Sequence, residues 1–136
     1  MKFIKQLRQS IFFVLSIGIS IFLLFFVICC TWIGFDVKTK CQDAKREYGG
    51  TCTESLISLL KDESRSFHSR NSAIWTLGEL GDTKALPVLQ SFYTGNIPDR
   101  EPLNETISQY ELKKAINLTN GGFNATAIFC DTVSIE

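Results

Sequence analysis

The side chains able to do chemistry are few and scattered. His68 is the only histidine in the 136 residues, and Ser69 follows it. A metal or catalytic role needs a set of converging ligands or an acid–base partner. His68 has neither in the sequence and reads as a surface residue near a helix start. Glu101, Glu105 and Glu111 fall on loop and helix and read as a solvated face, not as an acid–base pair. Five cysteines are spread over the chain. Cys29 and Cys30 lie in an apolar run and read as lipid-facing, while Cys41, Cys52 and Cys130 lie beyond it. Cys41 and Cys52 are a candidate disulfide in an oxidising compartment. If both open antiparallel helices, the seven helical residues from Gln42 to Tyr48 separate them by about 10 Å along the axis. A disulfide needs Cα atoms within about 7 Å. The bridge therefore requires that the first helix begin after Cys41 or cross its neighbour steeply.

No Gly-rich phosphate loop, basic arm or Cys/His cluster is present, and no cofactor is implied. Composition is that of a globular or singly anchored chain, with 45% hydrophobic and 21% charged residues. Lys2, Lys5 and Arg8 are the only charges before Asp36. Residues 36–136 therefore hold the other 11 bases and all 14 acids, for a net charge of −3. Such a domain makes a poor nucleic-acid binder, because phosphate contacts need a basic face.

Gln9 to Phe35 is 27 residues without a charge. A helix of about 20 apolar residues crosses a bilayer, and lipid demands that the backbone bond to itself. The run predicts a transmembrane helix over 10–33 after a basic flank over 1–9, with Trp32 at its interfacial end. A cleaved signal has a shorter apolar region and a small-x-small site, and Cys29-Cys30-Thr31-Trp32 supplies neither feature. Basic residues number three before the span and four soon after it, so charge alone does not orient it. A short basic N-terminus usually stays inside, which puts a single-pass protein in the cell membrane with its domain outside the cytoplasm.

Residues 36–120 read as an all-helical domain. Cys41, Ala44 and Tyr48 share one face of a helix over 38–48, which Gly49-Gly50 ends. Thr51-Cys-Thr-Glu54 is a capping box opening a helix whose buried side is Leu56, Ile57, Leu59 and Leu60. A third helix runs from about Ser66 to Leu80 with Phe67, Ala73, Ile74, Leu77 and Leu80 as its stripe. After the Gly81-Asp82 turn, a fourth covers about Thr83 to Tyr93, with Pro87 in its first turn. Thr94 to Leu103 holds Gly95, Pro98 and Pro102 and reads as a loop. Ser108-Gln-Tyr-Glu111 repeats the capping-box pattern before a helix to about Leu118. Residues 121–136 form a C-terminal tail, in which Phe123 to Val133 reads as a short strand or an extended segment.

The helices carry a repeat. Thr53, Leu56 and Leu59 align with Thr83, Leu86 and Leu89 at a spacing of 30 residues. Arg70, Ala73, Leu77-Gly78, Gly81-Asp82 and Ala85-Leu86-Pro87-Val88-Leu89 together resemble the short HEAT repeat of the bilin-lyase-like kind. The match is specific over residues 54–93 and loose beyond Gly95. The turn from Asp62 to Arg70 is longer than that pattern has, and the repeats are too few for a long concave surface. The resemblance implies that the N-terminal transmembrane helix read from the uncharged run is followed by a short HEAT-like α-solenoid of two to three helix pairs. It also makes the motif residues mostly residues of fold: leucines that interlock helices, Gly78 for close approach, Asp82 as a cap. Di-iron hydroxylases built on such repeats carry several His-Glu pairs, and this sequence has none. The repeat type looks prokaryotic, which makes the Asn104, Asn117 and Asn124 glycosylation patterns coincidental.

What remains is a surface. Trp75 sits one position off the Ile74–Leu77 stripe, either as a partner contact or packed against the proline loop or the tail. Ile97, Pro98 and Arg100 lie in a loop stiffened by two prolines, a candidate contact with a protein partner or a cover for the last helix pair. The expectation is a membrane-anchored HEAT-like interaction module without catalytic activity, held by the bilayer through residues 10–33. The alternative is an accessory subunit or relative of the HEAT-like bilin lyases.

Overall fold

The computed structural model describes residues 2–123, with five α-helices and no strand among them. The first helix, α1, runs unbroken from Lys2 to Tyr48. The sequence reading had divided this stretch into a span over 10–33 and a separate helix over 38–48. That boundary was drawn where charge begins, and charge does not stop a helix. No proline or paired glycine interrupts the chain before Gly49. At 1.5 Å per residue the 47 residues form a rod about 70 Å long. It is long and apolar enough to cross a membrane, and no residue of its most apolar window is buried. Two hydroxyls of the stretch are satisfied one turn back. Ser20 donates to the Ser16 carbonyl and Thr31 to the Val27 carbonyl, at 2.9 and 2.8 Å. Such back-bonding gives these two hydroxyls an acceptor within the helix itself.

The last three turns of α1 belong to the folded domain, where Val37, Cys41 and Ala44 are buried. Gly49 and Gly50, at φ of 71° and 79°, adopt a backbone that L side chains rarely take and turn the chain back. Thr51 then caps α2 (Cys52–Lys61) in a full capping box. Its hydroxyl accepts from the Glu54 N–H, and the Thr51 N–H donates back to Glu54 Oε2 at 2.9 Å.

Cys41 and Cys52 are bonded, with Cα atoms 5.2 Å apart. At the other end of α2, the Tyr48 hydroxyl donates to Asp62 Oδ2 at 2.6 Å. These two links, one at each end, mean that α2 runs alongside the final turns of α1 in the same sense. The three-residue connection spans the roughly 10 Å back along α1, as an extended segment can. The geometric objection to the bridge assumed antiparallel helices, and these are not. Removing the bridge as Cys41→Ala/Cys52→Ala is expected to lower stability by roughly 2–3 kcal/mol, from the short loop it closes. Equal denaturation midpoints for the double variant and wild type would contradict this.

From α2 onward the helices alternate in direction. The start of α2 meets the end of α3 (Phe67–Leu80) where the Thr53 hydroxyl donates to Asp82 at 2.7 Å. A short 3₁₀ turn over Thr83–Ala85 leads into α4 (Leu86–Phe92). Arg70, at the start of α3, lies 5.9 Å from the ring of Phe92 at the end of α4. The fifth helix, α5 (Gln109–Thr119), packs parallel to α3. Asn71 meets Ser108 at one end of that contact, and Gly78 meets Ala115 at the other. A Cβ on Gly78 would sit 2.9 Å from the Ala115 Cα, so the absence of a side chain sets the α3–α5 distance. Leu56, Leu60, Ile74, Leu77, Leu89 and Leu112 are completely buried and form the core among α2 to α5.

Candidate partner interface

The ionisable side chains near turns are already engaged by the fold. Glu54 lies below the ordinary carboxylate range because the Thr51 N–H and then its hydroxyl bond to it. Asp62 is lowered by the Ser64 hydroxyl and by Tyr48. Asp82 is lowered by the Lys84 N–H and by the Thr53 hydroxyl. Tyr48 is pushed up to about 12, chiefly because ionising it would break its bond to Asp62. The linkage signs follow. Depressed carboxylates add stability that is complete above about pH 4 and is lost as pH falls through their folded values. Raised Tyr48 adds stability that is complete below about pH 10 and is lost as pH climbs through its folded value. The denaturation midpoint should therefore drop on acidification from pH 5 to 3, and less so in Thr53→Val. A midpoint flat across that interval would show that these bonds survive protonation.

Among the described residues, no three His, Cys, Asp or Glu side chains converge as metal ligands. His68 is exposed. Cys29 is free, whereas Cys30 is disulfide-bonded and so is not the inert lipid-facing thiol the sequence suggested. Cys130 and most of the tail lie outside the described residues.

The proline loop is tied down at several points. Asn71, buried on α3, donates to the carbonyls of Leu103 and Thr106 at 3.0 and 2.9 Å and accepts from the Ser108 N–H at 2.9 Å. Glu101 is not part of a solvated face. It accepts from the N–H groups of Gln109 and Tyr110, at 2.7 and 3.2 Å, and from the Ser108 hydroxyl. A carboxylate there neutralises free donors at the positive end of α5. The Ser108…Glu111 capping box is therefore half made. Ser108 accepts from the Glu111 N–H, but its own N–H goes to Asn71 rather than to the Glu111 side chain. Thr94 is held by Gln109 at 2.8 Å.

With its ends fixed, the loop presents Ile97 to an open groove of about 660 Å³. Tyr93, at the end of α4, and one face of α5 complete it: Tyr110, Lys113, Lys114 and Asn117, with Ile116 and Asn120 beside them. The α5 residues follow the spacing of a single helical face. Sequence reasoning passed over them, although an aromatic beside two lysines on an exposed helix face was the available signal. Tyr110 is 59% exposed, a large ring mostly open to solvent. Pro98 and Arg100 are exposed on the same loop, outside the residues that line the groove.

Trp75 is elsewhere. It is half-buried on α3 and faces α1, lining a second groove of about 690 Å³ with Thr31, Trp32, Ile33, Phe35 and Asp36. Of the four contact residues picked from sequence, Ile97 and Trp75 thus belong to two separate grooves. No protein-family model, no curated protein and no solved structure matches this chain.

Proposed function

We propose that this chain is a single-pass membrane-anchored interaction module of HEAT-like build, without catalytic activity, whose helical domain stands outside the cytoplasm and binds a protein partner. The observation that carries the reading is the groove beside α5, where Ile97, Tyr93 and Tyr110 offer apolar area next to Lys113 and Lys114. Tyrosines beside cations are the composition of a binding hot spot, and the lysine pair selects an acidic segment. The alternating directions of α2 to α5 and the parallel packing of α3 on α5 support a helix-pair repeat. The Cys41–Cys52 bond supports an oxidising compartment for the domain.

Affinity capture with the full chain in detergent tests the partner. A discrete protein held by wild type and lost from Tyr110→Ala/Lys113→Glu/Lys114→Glu is the expected result. Equal capture by both would remove this groove from the interface, and a co-purifying tetrapyrrole absorbance would favour the lyase relative. Labelling of intact cells at Asn96→Cys by an impermeant thiol reagent tests orientation. Labelling only after lysis would put the domain in the cytoplasm.

A further inference from the structure

The groove between α1 and α3 lies at a particular height on α1. The uncharged run ends at Phe35, and Asp36, the first acid of the chain, forms part of the groove wall. Counted from Gln9, about 20 helical residues exhaust the hydrocarbon thickness near residue 29. Cys30 is disulfide-bonded, and thiol–disulfide chemistry proceeds through a thiolate, which hydrocarbon does not support. Both observations put the turn from Thr31 to Asp36 at the level of lipid headgroups and ester bonds. Trp32 and Phe35 are 76% and 71% exposed there, and tryptophan is the residue that settles at that depth. Trp75 reaches the same groove from α3, although 40 residues of chain and two turns separate it from Phe35.

We propose that Trp75 is a membrane-contacting residue and that the α1–α3 groove takes the ester and upper acyl region of a bilayer phospholipid, seating α3 against the membrane surface. The proposal rests on the anchor reading of α1. The groove is walled by two indole rings and one phenyl ring, and its volume is in the range of small-ligand sites. Asp36 stands at its rim with Lys40 3.8 Å away. Together they match the amine and the phosphate of a zwitterionic headgroup. No hinge separates this rim from the domain, because α1 continues as helix to Tyr48. Lipid filling the groove therefore fixes the domain's attitude as well as its distance from the bilayer.

The test uses the full chain as Trp32→Phe, which leaves Trp75 as its only tryptophan, in phosphatidylcholine vesicles. Resistance to carbonate extraction is scored first, because loss of the protein there refutes the anchor itself. In the carbonate-resistant protein, Trp75 emission is expected to be quenched by lipids brominated near the headgroup, several-fold more than by lipids brominated near the bilayer centre. Iodide in the buffer should quench it weakly. Trp75→Phe, with Trp32 alone, calibrates the depth. Carbonate-resistant protein whose Trp75 ignores both brominated lipids overturns the proposal. If that emission changes on dilution with excess lipid, a second copy covers the groove. If lipid quenching appears only after truncation at Phe123, the chain's own last residues do. Either outcome refutes lipid as the occupant.

Discussion

Leu77→Ala is expected to destabilise the helical domain by about 2–5 kcal/mol, the usual range for truncating a buried leucine. Leu77 is wholly inaccessible and sits in the core on the side of α3 opposite solvent. Ile74, Leu56, Leu60, Leu89 and Leu112 are as deeply buried in that cluster. A void at Leu77 would remove contacts from several helices at once, and tight packing of α3 on α5 at Gly78 limits how far the walls can close over it. The measurement is the denaturant midpoint of the full chain in micelles, followed by tryptophan fluorescence, with an unchanged slope. A shift smaller than that of Ile57→Ala, a residue only half-buried, would show that the core does not depend on Leu77.

Asn71→Ala is expected to cost about 2–4 kcal/mol, although it removes only a small polar group. Its amide makes three hydrogen bonds to backbone groups 32 to 37 residues away. Each contributes about 1 kcal/mol, and the buried Ser108 N–H would be stranded at further cost. The consequence differs from that of a core void. Loss of Asn71 should release residues 94–108 and the start of α5 first, giving fast amide exchange there while α2 and the end of α3 stay protected. Replacing 97–102 with a Gly/Ser linker should have the same effect, because it removes Glu101 from the N–H groups of Gln109 and Tyr110. Exchange that rises uniformly through the domain would mean that the loop and core unfold as one unit. The proline loop is thus tied into the fold, and it holds Ile97 on the same groove as Tyr110.

How much of this is legible in the sequence depends on the range over which each contact acts. The Thr51–Glu54 box and the left-handed Gly81 involve neighbours within one turn, and they are as the local patterns imply. Leu77 follows from its stripe. The partners of Asn71 and Glu101 do not follow, because no local pattern says that an asparagine on α3 will meet a loop 32 residues later. The Ser108–Glu111 pattern shows the two ranges in competition. The local half forms, and the distant Asn71 displaces the other half. The direction of α2 was hidden for a related reason, since Gly49-Gly50 signals a turn but not how far the chain runs back. The break assumed between span and domain came from reading a change of solvent as a change of backbone.

That unbroken backbone makes α1 a lever arm. Were a loop interposed, the domain could swivel, and the bilayer would set nothing but its height. With α1 across a membrane, any tilt of the span is copied by the domain about one axis. Where the hydrocarbon core is thinner than the roughly 30 Å that the helix covers from Gln9 to about residue 29, the usual accommodation is tilt. Bilayer thickness would then steer the aim of the Tyr110–Lys114 face. A partner of the kind proposed, fixed at one position beside the protein, would meet that face in a membrane of one thickness and miss it in another.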